Sequence, residues 1–159
     1  MARAAPGTDR TAARPVGRDD LGFLLAKAAQ RWNELLAERF GQAGFGEVRP
    51  SYGSVLVPLF EEDGLRLGEL ARRARLSKQA MTELVRRVER DGLVERRADP
   101  TDGRAALVFL SERSRELEPV AARILAELDR LVRTHLGGAR ADELAAALRD
   151  LTQLNASGA

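Results

Sequence analysis

The chain is expected to be mainly α-helical with one small β-hairpin, and three observations point there. Long stretches towards both ends of its 159 residues carry apolar side chains three and four positions apart, the period of a helix with one buried face. Between Leu67 and Leu110 two short helical patterns follow one another across a brief connector. A glycine comes next, then two β-prone runs separated by a charged turn. Helix, tight turn, helix and hairpin in that order describe a winged helix-turn-helix lobe, and the outer stretches supply a helical dimerisation frame. One domain is expected over residues 19–159, a length ample for a real core.

Residues 1–18, MARAAPGTDRTAARPVGR, are rich in arginine and poor in acid. They faintly resemble a transit peptide but lack the apolar core of a secretory signal, so they read as a disordered basic arm. The first helix is expected from about Asp19 to Phe40, with Leu21, Leu25, Ala28, Trp32, Leu35 and Leu36 on one side. Within the segment from Arg49 to Gly64 a short helix with Val55, Leu56 and Leu59 as its core is expected, kinked or ended early by Pro58, which has no backbone donor. The run Glu61, Glu62, Asp63 reads as a solvated loop.

The lobe spans residues 50–110. Its supporting helix carries Leu67, Leu70 and the small Ala71, and Arg75-Leu76 forms the connector. Ser77 suits the N-cap of the second helix, whose buried stripe is Met81, Leu84, Val85 and Val88. Outward lie Lys78, Gln79, Thr82, Glu83, Arg86, Arg87 and Arg90. Gln79, Thr82 and Arg86 fall within one arc near the N-terminal half, where a recognition helix meets base edges. Glutamine can pair with adenine and arginine with guanine. Asp91-Gly92 ends the helix, the glycine being free to turn left-handed. Leu93, Val94, Ala106, Val108 and Leu110 supply strand residues, and ADPTDGRA between them is rich in turn formers. Ser111 caps a long helix to about Leu136, with Leu117, Val120, Ile124, Leu128, Leu131 and Val132 on its apolar side. Gly137-Gly138 breaks it, and Ala141 to Leu154 forms the last helix with Leu144, Ala147, Leu148 and Leu151. Apolar faces this wide, on residues 19–45 and 111–155, suit a partner subunit, with packing into a single bundle as the alternative.

Charge and composition narrow the function. The net charge is only +2, yet from Leu65 to Arg104 eleven bases face seven acids, on an otherwise mildly acidic chain. A basic lobe on an acidic body is the footprint of a nucleic-acid binder. The absence of cysteine removes thiol redox switching and thiolate metal sites. With the single His135, no metal or cofactor is expected. No run reaches the length of a membrane span. Nucleophile elbow, phosphate-cradling loop and paired catalytic carboxylates are all missing, so an enzyme is not expected.

Residues 67–110 resemble the DNA-binding lobe of the multiple-antibiotic-resistance regulator (MarR) family. The likeness rests on LVERR at Leu93 to Arg97 and on the wing pattern Asp-Pro-x-Asp-x-Arg at Asp99, Pro100, Asp102 and Arg104. It implies that Arg104 enters the minor groove and that Asp102 holds its guanidinium in place. A narrow groove has the negative potential such a group seeks, and a neighbouring carboxylate can pre-orient it. Two departures stand out. Gly103 replaces a bulkier or basic residue, which loosens the wing and removes a phosphate contact. Glu83 puts an acid on the outward face, where it either rejects phosphate or reads cytosine.

The resemblance also implies an effector cavity where the short helix meets the first and the long fifth helices. Trp32, Tyr52 and His135 are its candidate lining residues. The competing reading, which the residues themselves favour, makes them dimer core, half-buried packing and a surface helix end respectively. The contacts to DNA are expected from Ser77, Lys78, Gln79, Thr82, Arg86, Arg87, Asp102 and Arg104. A cytoplasmic homodimeric regulator is therefore expected, bound to a near-palindromic site on double-stranded DNA and at the nucleoid when so bound. It would act as a repressor relieved by a small aromatic or amphipathic effector. The alternatives are a winged-helix module for protein contact and a DNA-binding regulator that answers to no ligand.

Overall fold

The computed structural model describes residues 17–154, so of the expected basic arm only Gly17 and Arg18 lie within the described residues. The chain divides into two compact units, and the boundary between Trp32 and Asn33 falls inside the first helix, α1 (Leu21–Gln42). In the first unit Asp20 precedes α1: its carboxylate accepts the Gly17 N–H at 2.7 Å, and its carbonyl accepts from Leu24 at 2.9 Å. Leu21, Phe23 and Leu24 on this half of α1 are exposed, and the Lys27 ammonium lies 5.8 Å from the Phe23 ring centre.

The second unit holds the rest of α1 and everything after it. A single 3-10 turn (Pro50–Tyr52) leads into α2 (Gly53–Glu61), β1 (Leu65–Arg66), α3 (Leu67–Ala74) and α4 (Lys78–Arg90). Then come β2 (Val94–Asp99), β3 (Asp102–Leu110), α5 (Glu112–Leu136) and α6 (Gly138–Leu151). Pro58 does not end α2 early; the helix runs on to Glu61. The last helix begins three residues sooner than the apolar pattern suggested, because Gly138-Ala139-Arg140 are already helical.

The expected hairpin forms, with Val94 opposite Leu110 and Asp99 opposite Asp102. A third strand joins it: β1 pairs antiparallel with β3, Leu65 opposite Val108, giving the order β1-β3-β2. Val108 and Leu110 point inwards while Leu107 and Phe109 are half-covered, the alternation a one-sided sheet requires. Leu70, Met81, Val85, Val88, Leu93 and Val108 are wholly buried, so one core lies beneath α3, α4 and the sheet.

Polar groups tie the sheet to its surroundings. Glu62 and Asp63 lie exposed in the bend after α2, as expected of a solvated loop, but Asp63 also serves the sheet: its Oδ1 accepts the Leu110 N–H at 2.8 Å and its Oδ2 bonds Arg115 at 2.9 Å. Next to it Gly64 adopts φ +77°, and a Cβ there would lie 2.7 Å from the Phe109 ring, so both backbone and space demand glycine. Ser111 caps α5 as expected, accepting from the Ser114 N–H at 3.2 Å, and donates to the Gly92 carbonyl at 2.7 Å. The buried Ser114 hydroxyl donates to the Leu93 carbonyl. The start of α5 is thus fastened to the turn that ends α4. Among the described residues no helix is long and apolar enough to cross a membrane.

Candidate nucleic-acid interface

The geometry of α4 is set at both ends. Upstream, Arg75 closes α3 in the left-handed region at φ 53°, a conformation that costs a non-glycine residue about 1–2 kcal/mol. The Leu76 N–H then bonds the Ala71 carbonyl at 3.0 Å. Ser77 caps α4, its Oγ accepting from the Ala80 N–H at 3.1 Å. Downstream, Gly92 turns left-handed at φ 78°, and Leu93 bonds back to the Val88 carbonyl at 3.0 Å. Met81, Leu84, Val85 and Val88 are all buried, as the periodicity predicts. That anchorage fixes which side faces out.

At about 100° per residue, Gln79, Glu83, Arg86 and Arg90 lie on the line opposite the buried stripe, with Thr82 and Arg87 flanking it. Apart from the half-covered Thr82, all of these are exposed, as is Lys78. The Thr82 hydroxyl donates to the Lys78 carbonyl at 2.7 Å, so outwards it offers only lone pairs and a methyl group.

Pairing sorts the cations of the lobe into two groups. Arg66 donates to Asp99 through Nε at 2.7 Å. Arg72 bonds Glu69 at 2.6 Å, and Arg73 bonds Glu69 at 2.7 Å as well as Glu62. Arg96 bonds Glu89 at 2.7 Å. Arg97 pairs with Glu95 at 3.1 Å and stacks 4.7 Å from the Phe109 ring centre. Arg75 reaches the Thr152 carbonyl and the Gln153 side chain. These bonds also hold the acids ionised: hydrogen bonds from Arg72 and Arg73 bring Glu69 down to about 2, and Arg96 lowers Glu89. Among the described residues the side chains of Lys78, Arg86, Arg87, Arg90 and Arg104 have no such partner. Four of those are on α4 and one is on the wing.

The wing is built around Asp99, a carboxylate only 5% exposed. It accepts from the Thr101 N–H at 2.8 Å, the Thr101 hydroxyl at 2.7 Å and Arg66. The Thr101 hydroxyl and N–H, then Arg66, keep its pKa below the usual carboxylate range. Asp102 reaches Arg104 through the main chain, its Oδ1 accepting the Arg104 N–H at 3.1 Å. It therefore shapes the wing backbone here, and the Arg104 guanidinium stays exposed. Sequence reasoning missed the Arg66–Asp99 clamp, whose members are 33 residues apart and share no local pattern.

Within the second unit lies a cavity of about 350 Å³. The C-terminal half of α1, α2 and α5 wall it with Leu36, Phe40, Leu56, Leu117 and Ala121, and the charged groups it includes are Arg49 and Glu118. Tyr52 and His135 are not among its lining residues. Tyr52 is 3% exposed, and its hydroxyl donates to the Asp91 carboxylate at 2.5 Å. Burial, then the bond to Asp91, raises the phenol pKa, so it stays a proton donor at neutral pH. His135 is exposed in the last turn of α5, and Trp32 is half-buried on the α1 segment of the first unit.

Known proteins align with this geometry. The family model described as MarR matches residues 50–106, the lobe as far as the middle of β3. A curated relative, the HTH-type transcriptional regulator TtmR of Methylorubrum extorquens (strain PA1), is 38% identical over 64 residues. That match covers 40% of this chain and 33% of TtmR, so the likeness spans about a third of the relative's length. A probable transcriptional regulator from Pseudomonas aeruginosa is 30% identical in its crystal structure, with a TM-score of 0.72 over 84% of this chain and 97% of that one. The transcriptional repressor CouR, solved on a 23-mer DNA duplex, is 23% identical with a TM-score of 0.72, over 88% of this chain and 100% of CouR.

Proposed function

The chain belongs to the MarR family, and from that premise we propose that it is a sequence-specific double-stranded DNA-binding transcriptional regulator. In the finer reading it works as a homodimeric repressor relieved by a small organic ligand. The observation that carries DNA binding is the distribution of unpaired cations. Arginines elsewhere in the lobe are neutralised by carboxylates or capped by hydrogen bonds, whereas Lys78, Arg86, Arg87, Arg90 and Arg104 are not. A helix face and a wing tip left cationic suit phosphates and grooves.

Gln79, Thr82 and Arg86 then read base edges from the major groove while Lys78, Arg87 and the Ser77 hydroxyl meet phosphate. Arg104 enters the minor groove, and Asp102 presents it by fixing the wing backbone. CouR, which shares this fold, is solved on a DNA duplex, which supports double-stranded DNA as the partner. Two apolar surfaces support dimerisation. Leu21, Phe23 and Leu24 are exposed on the first unit, and Leu125, Leu131, Leu144 and Leu148 are exposed on the second. A dimer would present two reader helices to half-sites about 10–10.5 bp apart, or a multiple of that. The cavity supports ligand relief: apolar walls with one cation and one anion fit an amphipathic organic molecule.

Selection of fragments from a random DNA pool, followed by a salt titration on the selected site, tests the reading. A near-palindromic site whose affinity falls steeply with salt is expected. A protein that selects nothing and shifts no duplex at low salt rules out DNA binding.

A further inference from the structure

The 3-10 turn between α1 and α2 faces two ways. Arg49, Pro50 and Gly53 line the cavity. Tyr52, between them, is buried on another side and donates its hydroxyl proton to Asp91, 39 residues further on. Asp91 is the residue that ends the reader helix: its N–H bonds the Arg87 carbonyl at 3.0 Å, and the Gly92 turn follows it directly. The turn is stiff. Pro50 fixes one φ angle, the Tyr52 N–H bonds the Arg49 carbonyl at 2.9 Å, and the Gly53 N–H bonds the carbonyls of Pro50 and Ser51. A displacement of its cavity side is therefore carried to the phenol rather than absorbed by the backbone.

We propose that Tyr52 is the positioning residue that couples the cavity to the reader helix, through its hydrogen bond to Asp91. This rests on the reading that the cavity governs DNA binding. A molecule wedged between α1, α2 and α5 pushes on Arg49, Pro50 and Gly53, and the Tyr52–Asp91 bond passes that push to the C-terminal end of α4. The tilt of α4 changes, and Arg86 and Arg87, in its last two turns, leave their register with the DNA. An occupant changes DNA affinity only in so far as it favours the shifted arrangement, and the hydrogen bond makes that shift common to cavity and helix.

A double-mutant cycle on the full chain tests this without knowledge of the ligand. Ala121→Phe fills part of the cavity from α5, and Tyr52→Phe keeps the buried ring but removes the hydroxyl. Affinity for the selected DNA site is read by fluorescence anisotropy, with thermal unfolding checked for every variant. Ala121→Phe is expected to weaken binding by about tenfold in the wild-type background, an ordinary size for coupling between sites. In the Tyr52→Phe background the same change should weaken it by less than about threefold. Asp91→Asn, whose amide oxygen still accepts from the phenol, should keep the larger effect. A merely structural Tyr52 would lower stability and leave the two fold-changes equal. Equal weakening in both backgrounds overturns the inference while the cavity keeps its role. No weakening in any background overturns the cavity reading and the inference with it. Val57→Phe, from an exposed wall position of the same cavity, repeats the cycle if Ala121→Phe does not fold.

Discussion

Replacing Arg87 and Arg73 by alanine, one at a time, separates cations available to DNA from cations used inside the fold. Arg87 is exposed on α4 with no partner among the described residues. Arg73 is 26% exposed and bonds both Glu69 and Glu62. Each phosphate neutralised steepens the dependence of log affinity on log salt by about 0.9. On the proposed reading, with Arg86 on a base edge and Arg104 in the minor groove, Lys78 and Arg87 are the cations that meet phosphate, which gives about −1.8 per chain and about −3.6 for a dimer. Arg87→Ala should therefore flatten the slope by about 0.9 per chain, equivalent to about 3.5-fold in affinity per chain between 50 and 200 mM salt. Arg73→Ala should leave the slope alone, because the charge removed is already neutralised and Glu69 keeps its bond to Arg72. The assay is anisotropy on the selected duplex at five or so salt concentrations. Equal flattening by the two variants would refute the reasoning, since it would mean that internal pairing does not decide which arginines meet DNA.

Arg86→Ala should cost about 1–3 kcal/mol at the selected site and relax the preference at one base position; equal loss on random DNA would make Arg86 a phosphate contact instead. Arg104→Ala should weaken binding strongly with the unfolding temperature unchanged, and Asp102→Ala should weaken it less, because it removes the acceptor for the Arg104 N–H and not the cation. Unfolding by Asp102→Ala would show that the carboxylate serves the hairpin alone. Glu69 titrates at about 2 in the folded chain against an ordinary 4.5. Its folded value is the lower one, so its contribution is complete above pH 4.5 and is lost as the pH falls towards 2. Urea unfolding followed across that window should give a flatter acid limb for Glu69→Gln than for the parent chain; superimposable limbs would mean that its bonds to Arg72 and Arg73 add no stability.

The reader helix was legible because everything that specifies it is local. The Ser77 cap, the stripe from Met81 to Val88 and the Gly92 turn act between residues within a few positions of one another, and periodicity records them. The wing turn was legible for the same reason. Long-range polar complementarity leaves no period. Nothing near Asp99 announces Arg66, nothing near Asp91 announces Tyr52, and Asp63 reads as one more acid in a loop until Leu110 and Arg115 are found against it. The third strand was missed because Leu65-Arg66 is too short to show alternation and forms only by pairing with β3. Charge was half legible: the excess of bases in the lobe is plain in the sequence, but only pairing tells which of them are spare. That difference changes what a substitution series means. An arginine scan interpreted by position alone would assign Arg66, Arg73 and Arg96 to the DNA surface, and their losses would be mistaken for lost contacts. Each is bonded to a carboxylate of its own lobe, so its removal acts first on the wing or the helix that carries the reader and only through them on DNA. Binding lost together with stability is the outcome expected of that group, whereas binding lost alone is the outcome expected of the proposed contacts Arg86, Arg87 and Arg104.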